Sequence, residues 1–500
     1  MLFMKKIILF LLLTALSLYN YAQKTQYNIK DFGAVGDGVT LCTNAINSAI
    51  TKCSDNGGGM VVVPVGAYKS GMILMKNNVE LHLEIGSTIL ASTDYKDYPK
   101  PPQAEYRSLR DNPEGWLALI YAEKATNIAI TGFGTINGNG ALQKPVLSVV
   151  KNDMEGRPLN VLFISCKQVR IEGIRMLNSG MWNQHYLNCE DVIVDRIEVY
   201  NHSNRNNDAI DIDGCRRFAL SNSIFDSDDD GITLKSTGPA ITEDVTVTNC
   251  VVSSFCNAIK AGTESTGGFR NIAINNCVVK PSRCKDQLIY GKRSGMAGIA
   301  LEMVDGGVME GIVISNITIE GTESPLFIRL GNRARKHAET APQPPVGKIR
   351  NISISNIVAY NTGNISSSIT GLPGHVIENV SIDNIQLFNK GGITEGQYKA
   401  TPQEVPENEK SYPESGMWGN LPSSVLFIRH VKGLSINNLT FGSKENDPRI
   451  PVIAVDVERL RIGKSITSSL YSPPCFVLLD NVKEFDIEKP LGWGQNPVIK

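Results

Sequence analysis

What would tie this chain to nucleic acid, a membrane span or a metal is missing from its sequence. The 49 Lys and Arg stand against 50 Asp and Glu, so no basic footprint exists for a phosphate backbone and genomic partners are excluded. Beyond the first residues no stretch approaches the roughly 18 apolar residues of a spanning helix. The six His show no metal-ligand spacing, and neither a metal nor another cofactor is expected. Ten Cys in 500 residues are few, and their spacings do not resemble a metal-binding set. Disulfides are allowed in an exported chain, yet most of these cysteines read as small buried hydrophobes. What remains, 42% hydrophobic and 20% charged, is the composition of a folded globular protein.

The start of the chain is different in kind. Lys5 and Lys6 precede the apolar run Ile7 to Leu13, and Asn20-Tyr21-Ala22 offers a cleavage site. Residues 1–22 therefore read as a secretory signal, with an exported, periplasmic or extracellular protein beginning near Gln23. No Cys follows closely enough for lipid attachment, so no membrane association is expected after signal removal.

One phrase recurs through the rest: alternating apolar residues, then Asn, then a second alternating pair. It reads Val245 to Asn249, Ile272 to Asn276, Ile312 to Asn316, Ile352 to Asn356, Val380 to Asn384 and Leu434 to Asn438. The marker asparagines lie 27, 40, 40, 28 and 54 residues apart, so one unit is near 27 and the excess is loop. Such strands cannot bury their apolar face alone, whereas stacked coils bury a continuous core. Asn suits the kink because it tolerates the left-handed conformation and bonds a neighbouring backbone. The pattern predicts an all-β protein, a single-domain right-handed parallel β-helix over residues 23–500. Hairpin signals are too scarce for a β-sandwich. Ala45, Ile46, Ala49, Ile50 and Cys53 fall at helical spacing, so Thr43 to Lys52 is expected to cap the first coil. Residues 281–297, 332–348 and 391–424 fill the long intervals and are expected to be loops bordering the binding face.

The sharpest constellation is Asn206-Asn207-Asp208-Ala209-Ile210-Asp211-Ile212-Asp213 followed by Asp228-Asp229-Asp230-Gly231-Ile232-Thr233-Leu234-Lys235. Aligning Ile210 with Ile232 and Ile212 with Leu234 stacks Asp208 on Asp230, one coil apart at roughly 4.8 Å. Asp229 sits beside them if a local bend interrupts the alternation, and Gly231 makes the bend easier. Three carboxyls in one patch suit acid-catalysed cleavage of a glycosidic bond, with repulsion keeping a proton available. Asp211, Asp213 and Asp228 read instead as solvated or cation-holding turn residues.

On these residues the sequence resembles glycoside hydrolase family 28, the polygalacturonase family. Asp31-Phe32-Gly33-Ala34-Val35-Gly36-Asp37-Gly38, then Gly57-Gly58-Gly59 and Val63 to Tyr68, look like the N-terminal region shared by β-helix pectin enzymes. Asn206-Asn207-Asp208 and Asp229-Asp230 match the catalytic motifs. The resemblance implies a single-displacement, inverting mechanism, with Asp229 as general acid and Asp208 and Asp230 positioning and deprotonating water.

The departures bear on the substrate. Where the family usually carries Gly-His-Gly, this chain has Cys256-Asn257-Ala258-Ile259-Lys260, and aligning Ile259 with Ile232 puts Asn257 one coil beyond Asp230. Where the family usually carries Arg-Ile-Lys, the best match is Ala300-Leu301-Glu302. A uronate on the leaving-group side would meet Glu302 as a like charge. The expectation is thus an exo-acting, monomeric galacturonosidase working on pectic polysaccharide or oligosaccharide where galacturonate joins a neutral sugar such as rhamnose. Lys235, Lys260, Arg329 and Arg333 are the cations available to read the uronate, and Trp418 could stack on a sugar. His430 reads as structural. A Ca2+-dependent β-elimination lyase and a non-catalytic carbohydrate-binding β-helix are the competing readings, disfavoured because the acids keep the family's spacing.

Overall fold

The computed structural model describes residues 25–99, 106, 117–143, 157–285, 294–468, 473–494 and 498–499. The expected signal, residues 1–22, lies outside the described residues, as do 286–293 of the first insertion.

The chain winds as a right-handed parallel β-helix. One sheet stacks Val192, Phe218, Val245, Ile272, Ile312, Ile352, Val380 and Leu434 in register from coil to coil. A second stacks Phe225, Val252, Val279, Ile319, Ala359, Leu387 and Phe441. The third stacks Tyr186, Ile212, Leu234, Ala261, Leu301, Ile328, Ile369 and Ile428. All of these point inward into one continuous apolar core, because side chains alternate along a strand and only one set can face the axis.

The recurrent asparagines mark the corner between the first two sheets. Asn249, Asn276, Asn316, Asn356, Asn384 and Asn438 all have φ between 51° and 56°. Their amides form a ladder along the axis, Asn316 to Asn276 at 3.1 Å, Asn356 to Asn316 at 3.0 Å and Asn384 to Asn356 at 2.7 Å. The left-handed conformation turns the strand, and the stacked amides satisfy one another.

The helix Thr43–Asp55 caps the first coil, running three residues beyond the expected Lys52 and burying Ile46, Ala49, Ile50 and Cys53. Nine of the ten cysteines are buried, Cys284 partly so. The insertion 391–424 folds back on the outer face of the third sheet. There Val405, Trp418 and Leu421 form a small apolar cluster with Ala297, Ala300, Phe327, Phe427 and Ile453. It is fastened by Arg449, which donates to Leu421 O at 3.1 Å, and by Arg429, which donates to Val405 O at 2.7 Å.

Candidate active site

The third sheet carries the acids. Ile210 pairs with Ile232 and Ile212 with Leu234, and Ile232 pairs with Ile259, which is the register read from the sequence; Lys260 pairs with Ala300 in the next coil. Asp228 to Gly231 lie in a bend ahead of the strand Ile232–Ser236. Ser227 Oγ donates to Asp229 O and Asp230 O at 3.0 and 3.1 Å, and Ser254 Oγ to Asp229 O at 2.6 Å. A Cβ on Gly231 would lie 2.5 Å from Ala258 O, so only glycine fits the turn. The bend brings Asp208, Asp229 and Asp230 together, with one oxygen of each within 4.8 Å of the others.

These carboxyls are not equivalent. Asp230 Oδ1 accepts from Asn257 N at 3.1 Å and Asn257 Nδ2 at 2.8 Å, while Oδ2 lies 2.8 Å from Lys260 Nζ. Asp208 Oδ2 lies 3.4 Å from Lys235 Nζ, but its Oδ1 is buried without a hydrogen-bond partner. Among the described residues no lysine forms an ion pair with Asp229. Its Oδ1 accepts from Asp230 N at 2.9 Å, and Asn206 Nδ2 lies 3.4 Å from Oδ2. Burial, then the neighbouring charge of Asp230, pushes Asp229 up to about 6. Burial and Asp211 hold Asp208 well above the usual carboxylate range, which makes it a strong base once it has lost its proton.

Both lysines keep their charge. Burial works against it, but Asp211 and Asp208 around Lys235, and Asp230 around Lys260, outweigh burial. Lys235 also lies 2.9 Å from Asp211 and 3.5 Å above the Trp182 ring, a cation–π contact.

Of the residues expected to touch substrate, several do something else. Asn257 positions Asp230, and Lys235 and Lys260 neutralise acids. Arg329 is buried and donates to Gly371 O at 3.2 Å and to Glu407 O, so it holds the insertion rather than a uronate. Trp418 is buried, donates from Nε1 to Pro406 O at 2.9 Å and packs on Phe327. It anchors the loop and cannot offer a face to a sugar. Arg333 is tied to Asp305 at 2.9 Å and to Thr263 Oγ1 at 3.1 Å, leaving Nη1 without a partner. Glu302 does not face solvent. It is fully buried 3.7 Å from Lys260 Nζ, neither oxygen is hydrogen-bonded, and burial holds its carboxyl well above the usual range. Ala300 lies beneath the insertion, which explains why an apolar residue stands there.

Asp211, Asp213 and Asp228 are structural but buried rather than solvated. They face Lys235, His185 at 3.0 Å and the Asn207 amide at 2.9 Å respectively. His430 bonds Asp456 at 2.7 Å and Glu407 at 3.2 Å. Sequence reasoning missed Tyr412 and Glu414. Tyr412 OH is 3.3 Å from Lys260 Nζ. Burial, and the nearby charge of Asp230 working against Lys260, push Glu414 up to about 7. The insertion has no periodicity from which either placement could be read.

A β-helix whose cleft holds three carboxyls, two of them beside a lysine and one not, has the apparatus of acid-catalysed glycoside cleavage. Residues 53–407 match the family described as Glycosyl hydrolases family 28. The chain belongs to that family and is a glycoside hydrolase. It is 27% identical over 364 residues to a probable polygalacturonase of Vitis vinifera, spanning 69% of this chain and 71% of that one. It is similar to the crystal structure of a hyperthermoactive exopolygalacturonase from Thermotoga maritima, with 25% identity, TM-score 0.60, and 73% and 88% of the two chains covered. The family 28 exopolygalacturonase of Yersinia enterocolitica shares the fold, at 18% identity and TM-score 0.69 over 94% of this chain and 80% of that one.

Proposed function

We propose that the protein is an exported galacturonosidase. It hydrolyses α-linked galacturonic acid from pectic polysaccharide or oligosaccharide with inversion, attacks chain ends, and takes a neutral sugar such as rhamnose on the leaving-group side. The observation that carries this reading is the unequal treatment of three carboxyls in one cleft. Asp229, protonated, gives its proton to the glycosidic oxygen as the bond to the anomeric carbon breaks. A water held between Asp208 and Asp230 attacks that carbon and gives its proton to this pair. The polygalacturonase relatives support the uronate.

The insertion supports exo action, because its tip lies against the coils next to Asp230. Ser415 Oγ donates to Met296 O at 3.1 Å, and Tyr412 reaches Lys260. A neutral leaving sugar no longer rests on a charged Glu302. Its support is that Lys260 is engaged by Asp230, and Arg333 by Asp305, which leaves this side rich in acids.

Two observations favour other outcomes. The nearest oxygens of the trio lie within 4.8 Å, closer than the roughly 6.5–9.5 Å between carboxyl groups of two-carboxylate inverting enzymes, so the spacing alone would suit retention. The trio could also hold a divalent cation, as a lyase requires. NMR of the first-formed sugar, with product analysis on defined pectic fragments, decides among them. The expected result is inversion and saturated products. Retention overturns the single displacement, and chelator-sensitive activity with unsaturated products overturns hydrolysis.

A further inference from the structure

The tip of the 391–424 insertion meets the catalytic coils through Tyr412, Glu414 and Ser415, from more than a hundred residues away in sequence. Tyr412 and Ser415 are committed to Lys260 and Met296. Glu414 is committed on one side only. Its Oε1 accepts from Ser415 N at 3.0 Å, Oε2 makes no hydrogen bond to any described residue, and the side chain is only partly buried. Lys260 is shared between Asp230, Tyr412 and Glu302, and Arg333, over the Tyr412 ring, is held by Asp305 and Thr263. Oε2 of Glu414 is thus an open acceptor at the tip of the insertion, and sugar hydroxyls are donors whereas a uronate carboxylate is not.

We propose that Glu414 is a specificity-determining residue, receiving hydroxyl groups of the neutral sugar at the end of the cleft and turning away a second uronate. This rests on the galacturonosidase reading above. A carboxylate on the sugar at this position would lie beside Glu414, Asp229 and Asp230, and like charges placed together without water are disfavoured. The effect is graded by protonation. Glu414 is faced by Lys260, Asp229, Asp230, Glu302 and Cys256 from the coils and by Tyr412 from its own loop. Burial and these acids prevail over Lys260, so Glu414 ionises near neutrality. Discrimination against a uronate should accordingly strengthen as pH rises.

The test measures kcat/KM on a galacturonate–rhamnose fragment and on digalacturonate, and takes their ratio. Titration of Asp229 acts on both substrates and cancels in the ratio. In the wild type the ratio should rise between about pH 5.5 and about pH 8 as Glu414 ionises. In Glu414→Gln it should fall roughly tenfold at the upper pH and lose its pH dependence, since one charge-assisted contact is of that size. Glu414→Ala should do the same, and thermal unfolding of both variants checks that the loop still docks. If both variants dock yet keep the wild-type ratio at every pH, the assignment to Glu414 fails while the galacturonosidase reading stands. If the wild type itself cleaves digalacturonate better, that reading fails and takes this inference with it.

Discussion

At the corner of the solenoid, Asn276, Asn316, Asn356 and Asn384 adopt one backbone conformation and pass hydrogen bonds from amide to amide. On the cleft face, neighbouring coils carry Asp208, Asp230, Lys260 and Glu302, and no two of these have the same surroundings. The corner repeats because each residue's need is met by its copy in the next coil. The cleft cannot repeat, because a buried charge is relieved only by an opposite one. Lys235 between Asp208 and Asp211, and Lys260 between Asp230 and Glu302, supply that relief. Asp229 is left outside both arrangements, and its chemistry follows from that exclusion.

The largest effect should come from Asp229 itself. Asp229→Asn is expected to lower kcat by roughly a hundredfold to ten-thousandfold, as loss of a general acid does. The same variant should melt higher at neutral pH. The folded-state pKa of about 6 lies above the ordinary 3.8, so the folded state binds the proton more tightly. Stability then falls as pH rises from the lower value to the higher, and that penalty persists above it. Asn removes the penalty. In the wild type, kcat/KM should decline above about pH 6 as the acid loses its proton. An Asp229→Asn protein less stable than wild type at pH 7 would contradict this account of the cleft.

Next in size, Lys260→Met should cost about 3–5 kcal/mol in chemical denaturation, because it leaves Asp230 buried without its counter-charge. Asn316→Ala tests the other half of the comparison. It forces a residue with a Cβ into the left-handed region and removes amide contacts to Asn276 and Asn356, at a cost of about 2 kcal/mol with kcat unchanged. If the corner substitution alters kcat as strongly as the cleft ones, the two faces are not separable. The smallest effect is expected for Glu302→Gln. Burial already disfavours its charged form, so stability at pH 7 should change by less than about 1 kcal/mol. A large stabilisation would mean that Glu302 is buried with its charge.

Much of this was legible before any coordinates. Asn at the six recurrent kinks, the pairing of Ile210 with Ile232 and of Ile232 with Ile259, and the bend at Gly231 could all be read from the repeating pattern. What was not legible depended on how non-repeating parts fold back. Arg329 and Trp418 looked available in the sequence, and both are used up in fastening the insertion. Tyr412 and Glu414 gave no signal, since nothing in an aperiodic loop says which of its residues will lie against a coil. Glu302 was read as a charge because a sequence shows an acid but not the depth at which it lies.

The docking of the insertion also sets an order of assembly. Ladder contacts join residues close along the chain, such as Ile210 and Ile232, so coils can be laid down one after another as polypeptide becomes available. The contacts from Tyr412 to Lys260 and from Ser415 to Met296 bridge 152 and 119 residues, and the loop bearing them is fastened by Arg429 and Arg449, further along still. A nascent chain therefore completes the coils bearing its three acids well before it completes the wall beside them. Catalytic competence with its proper selectivity is the last property to mature, and a chain truncated ahead of Arg449 would keep the acids in register while losing the fastening of that wall.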